Sequence, residues 1–157
     1  MHTYSENVHT VVGIPPKANG AELTGDLVSL KNCNHIAVVC TVTQGNAAEM
    51  VFSLEQAKSV DGTDAKALTK AVPIFANPDV LASDSLERLE ADAVDYHSGA
   101  TLAGKHVVFE VNPTDLDIND GFTCLRVKAA ASNAANIVSV NYVATGLRYS
   151  GKSMITD

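Results

Sequence analysis

NHIAVVCTVTQ, residues Asn34–Gln44, is the stretch that decides the fold. Ile36, Val38, Cys40 and Val42 alternate with Ala37, Val39, Thr41 and Thr43. A two-residue period sends successive side chains to opposite faces of a pleated strand, and β-branched residues fit that surface. Both sets are apolar enough for a central strand. Gly45-Asn46 breaks the run. Ala48–Gln56 follows, with Met50, Phe52 and Leu54 on one face and Ser53 and Glu55 on the other, the pattern of a half-buried strand. The short connection between the two stretches predicts an antiparallel hairpin.

The same alternation recurs along the chain. Leu27–Leu30 reads as a short strand. Lys105–Val111 puts Val107, Phe109 and Val111 on one face, Phe122–Val127 is another strand, and Asn136–Ala144 groups Val138, Val140, Tyr142 and Ala144. Ser59–Asp64 (SVDGTD) is a turn, because Asp-Gly readily adopts left-handed backbone angles, and Ala129–Ala135 is a small-residue loop. Ser83–His97 admits two readings. Asp84 with Glu87 resembles a helix capping box, with Leu86, Leu89 and Ala93 on one helical face, and the other reading is a loop or polar edge strand. Several short strands separated by turns predict an all-β, single-domain antiparallel β-sandwich or jelly roll over residues 20–149. An N-terminal arm would cover residues 1–19 and a C-terminal tail residues 150–157.

Composition narrows the function classes. The chain has 157 residues, 46% hydrophobic and 18% charged, as expected of one folded domain. Aromatics are 5% and Trp is absent, so the core is expected to be aliphatic. A net charge of −7 without a Lys/Arg cluster argues against nucleic-acid binding. Met1–Val12 lacks a basic region followed by an apolar block, so no secretory signal is expected. The longest uninterrupted apolar run, Ile36–Cys40, is far short of the ~20 residues of a membrane span, which argues against a membrane partner. Cys33, Cys40 and Cys124 are odd in number and irregularly spaced, as for free, mostly buried thiols made in a reducing cytosol.

The most pointed chemical candidate is NPTDLDINDGFTCLRV, Asn112–Val127, with Asp115, Asp117 and Asn119 at alternate positions. An EF-hand loop needs Gly at its sixth position and Glu at its twelfth. Counted from Asp115 these are Asp120 and Arg126, so that reading fails. A looser calcium site on Asp115, Asp117 and Asp120 competes with a plain turn at Asp120-Gly121 whose Asp and Asn side chains satisfy loop N–H groups; the turn is favoured. Cys33 and His35 lack a second ligand pair for zinc. Gly20–Gly25 has P-loop glycine spacing, but Asp26-Leu27 stands where Lys and Ser/Thr belong. No G-x-S-x-G elbow is present, and His2, His9, His35, His97 and His106 are scattered. Glu87, Glu90, Asp92 and Asp95 read as a solvated face rather than an acid–base pair. The expectation is no metal, no cofactor and no enzyme.

Three stretches together resemble a family. They are LVSLKNCNHIAVVCTVTQG (Leu27–Gly45), VFSLEQAKSVDGTDAKAL (Val51–Leu68) and Val107–Tyr149, whose D-L-D-x-N-x-G-F-x-C-L-R block is the most specific. They are similar to small structural proteins of tailed bacteriophages encoded next to the major capsid protein. The resemblance implies a virion role, commonly as a head decoration (cement) protein on the outer capsid surface, and it carries no catalytic residues. The implied partners are the major capsid protein and further copies of the chain, as a homodimer or homotrimer. Two alternatives follow: a head–tail connector, tail or baseplate component, or a carbohydrate- or host-binding β-sandwich module, for which four Tyr, four Phe and no Trp offer little stacking surface.

The residues expected to reach a partner lie at the two ends. Val8, Val11, Val12 and Ile14 form a short apolar run that either adds a strand to a neighbour's sheet or pairs within its own. Pro15 and Pro16 stiffen the exit of this arm. Met154 and Ile155 are apolar anchors in the tail.

Overall fold

The computed structural model describes residues 3–147. After a single helical turn, α1 (Tyr4–Asn7), the chain runs through twelve strands. They are β1 (His9–Ala18), β2 (Leu23–Thr24), β3 (Val28–Ser29), β4 (His35–Gln44), β5 (Val51–Ala57), β6 (Lys66–Ala67), β7 (Ile74–Asn77), β8 (Glu87–Arg88), β9 (Asp95–His97), β10 (Gly104–Val111), β11 (Cys124–Ala129) and β12 (Asn136–Thr145). One six-stranded sheet has the order β1-β12-β4-β10-β7-β8. The other has β2-β11-β5-β6 as its spine, with β3 against β11 and β9 against β5. Every pairing is antiparallel. The protein is an all-β sandwich.

The core lies between the sheets, where alternation puts it. Ile36, Val38, Cys40 and Val42 of β4 meet Val138, Val140, Tyr142 and Ala144 of β12 on the inner face of the first sheet. Phe52 and Leu54 of β5 and Leu125, Val127 and Ala129 of β11 face them from the second. Burial pushes the Cys40 thiol far above its usual range, as for an inert core sulfur.

Tyr142 ties the sheets together. β2 and β3 are one strand interrupted at Gly25–Leu27, so β11 loses ladder partners there. The fully buried Tyr142 ring crosses from the opposite sheet and fills the gap. Its hydroxyl accepts from the Val127 N–H at 3.0 Å and donates to the Asp26 carbonyl at 2.9 Å. Gly25 is required, because a Cβ there would stand 2.5 Å from the Tyr142 hydroxyl.

One expectation needs correction. β4 and β5 are not a hairpin: β4 pairs with β10 and β12, and β5 lies in the other sheet. Gly45–Met50 is an arch between layers, held by Asn46 N–H on Asn136 Oδ1, Asn136 Nδ2 on the Ala48 carbonyl and Met50 N–H on Ser98 Oγ. Arching lets both strands bury their apolar inner faces in one core, while β4 gains two long neighbours.

Of the two readings of Ser83–His97, the loop or polar edge strand is the one the structure has. Leu89 N–H bonds to the Ile74 carbonyl, Arg88 pairs with Phe75, and Ala93 bridges to Val72, so the stretch hugs the sheet edge. Of the two readings of the Val8–Ile14 run, pairing within its own sheet is the one seen: β1 runs along β12 from His9 opposite Ala144 to Ala18 opposite Ile137.

Candidate interaction surface

The acidic loop between β10 and β11 is a structural connection. Its two 3-10 turns, Pro113–Asp115 and Ile118–Asp120, end at Gly121, whose φ of 87° is the left-handed value the sequence expects of Asp-Gly. Asp115 accepts the Asn112 N–H at 2.8 Å and the Lys70 ammonium at 2.6 Å. Asp117 meets Lys66 at 2.5 Å and Gln56 Nε2 at 3.0 Å, and its own N–H reaches Gln56 Oε1. The hydrogen bond from Lys66 holds the Asp117 carboxyl below its usual range. Lys66 also lies 4.3 Å from the centre of the Phe122 ring. Lys70 and Lys66 thus pair with two of the three carboxylates of the candidate calcium site. Beside this loop, Leu30, Pro113, Leu116 and Ile118 line a shallow apolar cleft of about 250 Å³ with Lys31 at its rim.

The other chemical candidates are also engaged in the fold. His35 pairs with Glu110 at 2.7 Å, away from the buried Cys33. Glu87, Glu90 and Asp92 are exposed, and Asp92 pairs with Arg88. No group of three or more metal-ligating side chains occurs among the described residues. The fold brings His97 to Glu49 at 3.1 Å, which holds its imidazole above the usual range, and their contact fastens the ends of β5 and β9. Lys105 is 1% exposed and donates to the Ser98 carbonyl, with its pKa pushed down by burial.

What distinguishes the surface is the contrast between its two broad faces. On the outside of the second sheet, Glu55, Arg126 and Lys128 form a linked set of ion pairs with Glu22 at the edge. The Glu22 contact raises the Lys128 pKa. Nearby, Leu27 and Val60 cover Cys124 and Ala57. That face is charged or sealed by the chain's own loops.

The outer face of the first sheet is different. Cross-strand register places Val12, Asn141, Val39, Val108, Phe75 and Arg88 in one row across all six strands. Thr10, Val143, Ala37 and Glu110 form the next row. Val108 is 7% exposed yet belongs to neither core cluster. The two-sided apolar character of Asn34–Gln44 is explained: Val39 and Ala37 look outward from a central strand.

The edge of this sheet holds the partner-binding candidates. Among the described residues β12 is the one strand that β1 pairs with, which makes β1 an edge strand, and the Gly13 carbonyl accepts the Asp26 N–H at 3.0 Å. Val12 is 55% exposed at this edge, and Val11 packs against the core. Val8 caps α1. Ile14 is 3% exposed and belongs to the core, so it is not available to a partner. Pro15 and Pro16 are exposed where the register with β12 shifts between Ile14 and Lys17. Edges and bulges are where a strand tolerates proline. Met154 and Ile155 lie outside the described residues. The outer row of Val39, Val108 and Phe75 was missed from the sequence, although the alternation of β4 held a signal for it.

No protein-family model and no curated protein matches the chain. Among solved structures, the chain is similar to the SPBc2 prophage-derived protein YomS, with a TM-score of 0.49 and 6% identity over 92% of this chain and 97% of that one. It is also similar to the Yersinia pseudotuberculosis-derived mitogen, with a TM-score of 0.30 and 10% identity over 96% and 95% of the two chains. A third likeness is to a chain of infectious bursal disease virus Gx strain, with a TM-score of 0.25, 9% identity and coverage of 87% and 39%.

Proposed function

We propose that this chain is a non-enzymatic virion structural protein of a tailed phage, a decoration protein that docks on the outer head lattice and bridges capsid subunits. The observation that carries the reading is the edge position of β1, a ten-residue strand that pairs with no strand but β12 among the described residues. An extended segment of a capsid subunit adds to such an edge through main-chain hydrogen bonds, with Val12 as the exposed apolar contact. The register shifts at Pro15-Pro16 confine that pairing to Thr10–Val12, because proline has no N–H to donate. The resemblance of Leu27–Gly45, Val51–Leu68 and Val107–Tyr149 to tailed-phage structural proteins points the same way.

The mechanism is thermodynamic. A sandwich whose sheets are tied by Tyr142 changes shape little on docking, so interface contacts are not spent on ordering the body. Each copy adds a modest free energy, multiplied over the lattice by symmetry. The test is head stability. Heads lacking the protein should burst at a lower temperature than complete heads, and adding purified protein back should restore the difference. Equal bursting temperatures with and without it would refute the reading.

A further inference from the structure

The two ends of the sandwich differ as a knob differs from a socket. At one end β10 begins at Gly104, opposite Thr43 of β4. The loop after β7 lies beside it, with the Val80 N–H on the Gly104 carbonyl at 3.0 Å. This loop holds Leu81 in solvent, 94% exposed, with Val80 exposed next to it. Leu102, on the loop that enters β10, is 61% exposed. The knob is braced. Asn77 Oδ1 accepts the Asp79 N–H, Asp79 Oδ1 accepts the Leu81 N–H, and Asn77 Nδ2 donates to the Ser83 carbonyl. An apolar side chain held out on a braced loop is a preorganised contact.

The socket is at the other end. β10 finishes at Val111, ~24 Å away along the strand. There the cleft of about 250 Å³ opens, lined by the nearly buried Leu30 and Leu116 and by Pro113 and Ile118. We propose that this cleft takes the Leu81 loop of a second copy, so that copies of the chain join head to tail.

Charge selects that pairing over end-to-like-end contact. Asp79 and Asp84 flank Leu81 on the knob, and Lys31 stands exposed at the rim of the cleft. None of the ion pairs among the described residues uses these three. Two knobs face to face would oppose carboxylates in a chain whose net charge is already −7. A knob in a cleft sets those carboxylates against an ammonium. Asp115 and Asp117 beside the cleft are held by Lys70 and Lys66, which limits their repulsion of the incoming loop. Size agrees as well. A leucine side chain has four carbons, each similar in size to a water with its ~30 Å³, so the cleft accommodates Leu81.

The contact is heterologous. Each copy offers one knob and one cleft, so a pair leaves one of each unused, and addition continues until a ring closes or a string forms. The β1 edge runs along the side of the sandwich rather than across an end, so it stays open to another partner.

This association needs no capsid, so it stands or falls separately from the decoration reading. The experiment is sedimentation velocity on the isolated full chain from roughly 10 μM to 1 mM, the range suited to a small contact. The wild-type mass should climb past that of two chains. Leu81→Asp and Ile118→Asp, both at exposed positions, should each weaken association by roughly tenfold or more, because each puts a charge into an apolar contact. Circular dichroism of both should remain that of the folded β protein. Leu81→Asp keeps its cleft and Ile118→Asp keeps its knob, so mixing the two variants should give a one-to-one pair that grows no further. A symmetric contact would not be rescued by mixing. A wild type that stays monomeric, folded variants that associate as tightly as the wild type, or a mixture that stays monomeric would each overturn the proposal. Loss of association in Ile118→Asp but not in Leu81→Asp would show that the cleft takes some other segment, and would overturn it too.

Discussion

Replacing Tyr142 by Phe tests how the two sheets are held together. The ring is fully buried, so the substitution keeps the apolar volume and opens no cavity of consequence. It removes one oxygen. The Val127 N–H, bonded to that oxygen at 3.0 Å, and the Asp26 carbonyl, bonded at 2.9 Å, are both left without it. They lie where the β2–β3 interruption leaves β11 without a ladder neighbour. Stranding a buried polar group costs ~1–3 kcal/mol, and partial relaxation of the Asp26 segment lowers the sum, so Tyr142→Phe should lose ~2–4 kcal/mol. For a chain of this size each kcal/mol shifts Tm by ~2–4 °C, so the expected drop is roughly 5–15 °C. The assay is denaturant and thermal unfolding followed by circular dichroism. The denaturant slope should stay constant, because the surface exposed on unfolding is unchanged. A drop of less than about 1 °C would show that these hydrogen bonds do not hold the layers together, since even one stranded group should cost more.

Three further outcomes follow from the same geometry. Gly25→Ala should destabilise at least as much as a typical overpacked core site, ~1–3 kcal/mol, because its Cβ would stand 2.5 Å from the Tyr142 hydroxyl; unchanged thermal unfolding would contradict this. Millimolar calcium should leave Tm unchanged, because Lys70 and Lys66 already neutralise Asp115 and Asp117; a rise in Tm with calcium would overturn that assignment. Asp117 has a folded pKa below that of an ordinary carboxyl, so its contribution is present above the unfolded pKa of ~3.9 and is lost as pH falls through the folded value. Asp117→Asn should therefore flatten the acid limb of the stability–pH curve, and an acid limb identical to the wild type would refute the pairing.

Much of the β architecture was legible because it is local. The alternation in Asn34–Gln44, Lys105–Val111 and Asn136–Ala144 reports which side chains share a face, and these stretches became β4, β10 and β12. Strand partnership is not local. Gly45–Met50 has the length of a hairpin loop, and its conversion into an arch depends on Asn136 and Ser98, far away in sequence. Ser83–His97 stayed open between two readings for a related reason. Leu89 and Ala93 do meet the core, but they reach it from an edge segment bonded to Ile74 and Val72, where helical spacing is incidental.

The candidate surface was legible only in part. The apolar run Val8–Ile14 marked the correct edge, but whether each residue points outward depends on the register with β12. That register buries Ile14 and exposes Val12. The row Val39–Val108–Phe75 joins three strands whose order no spacing reveals.

A decoration protein coats the head lattice, and this proposal is tested by the copy number in purified virions, measured by quantitative mass spectrometry against the major capsid protein. A fixed ratio near one per capsid subunit, or one per small symmetric group of subunits, is expected. About six or twelve copies per particle would place the chain at the neck or tail, and its absence from virions would refute the virion role altogether.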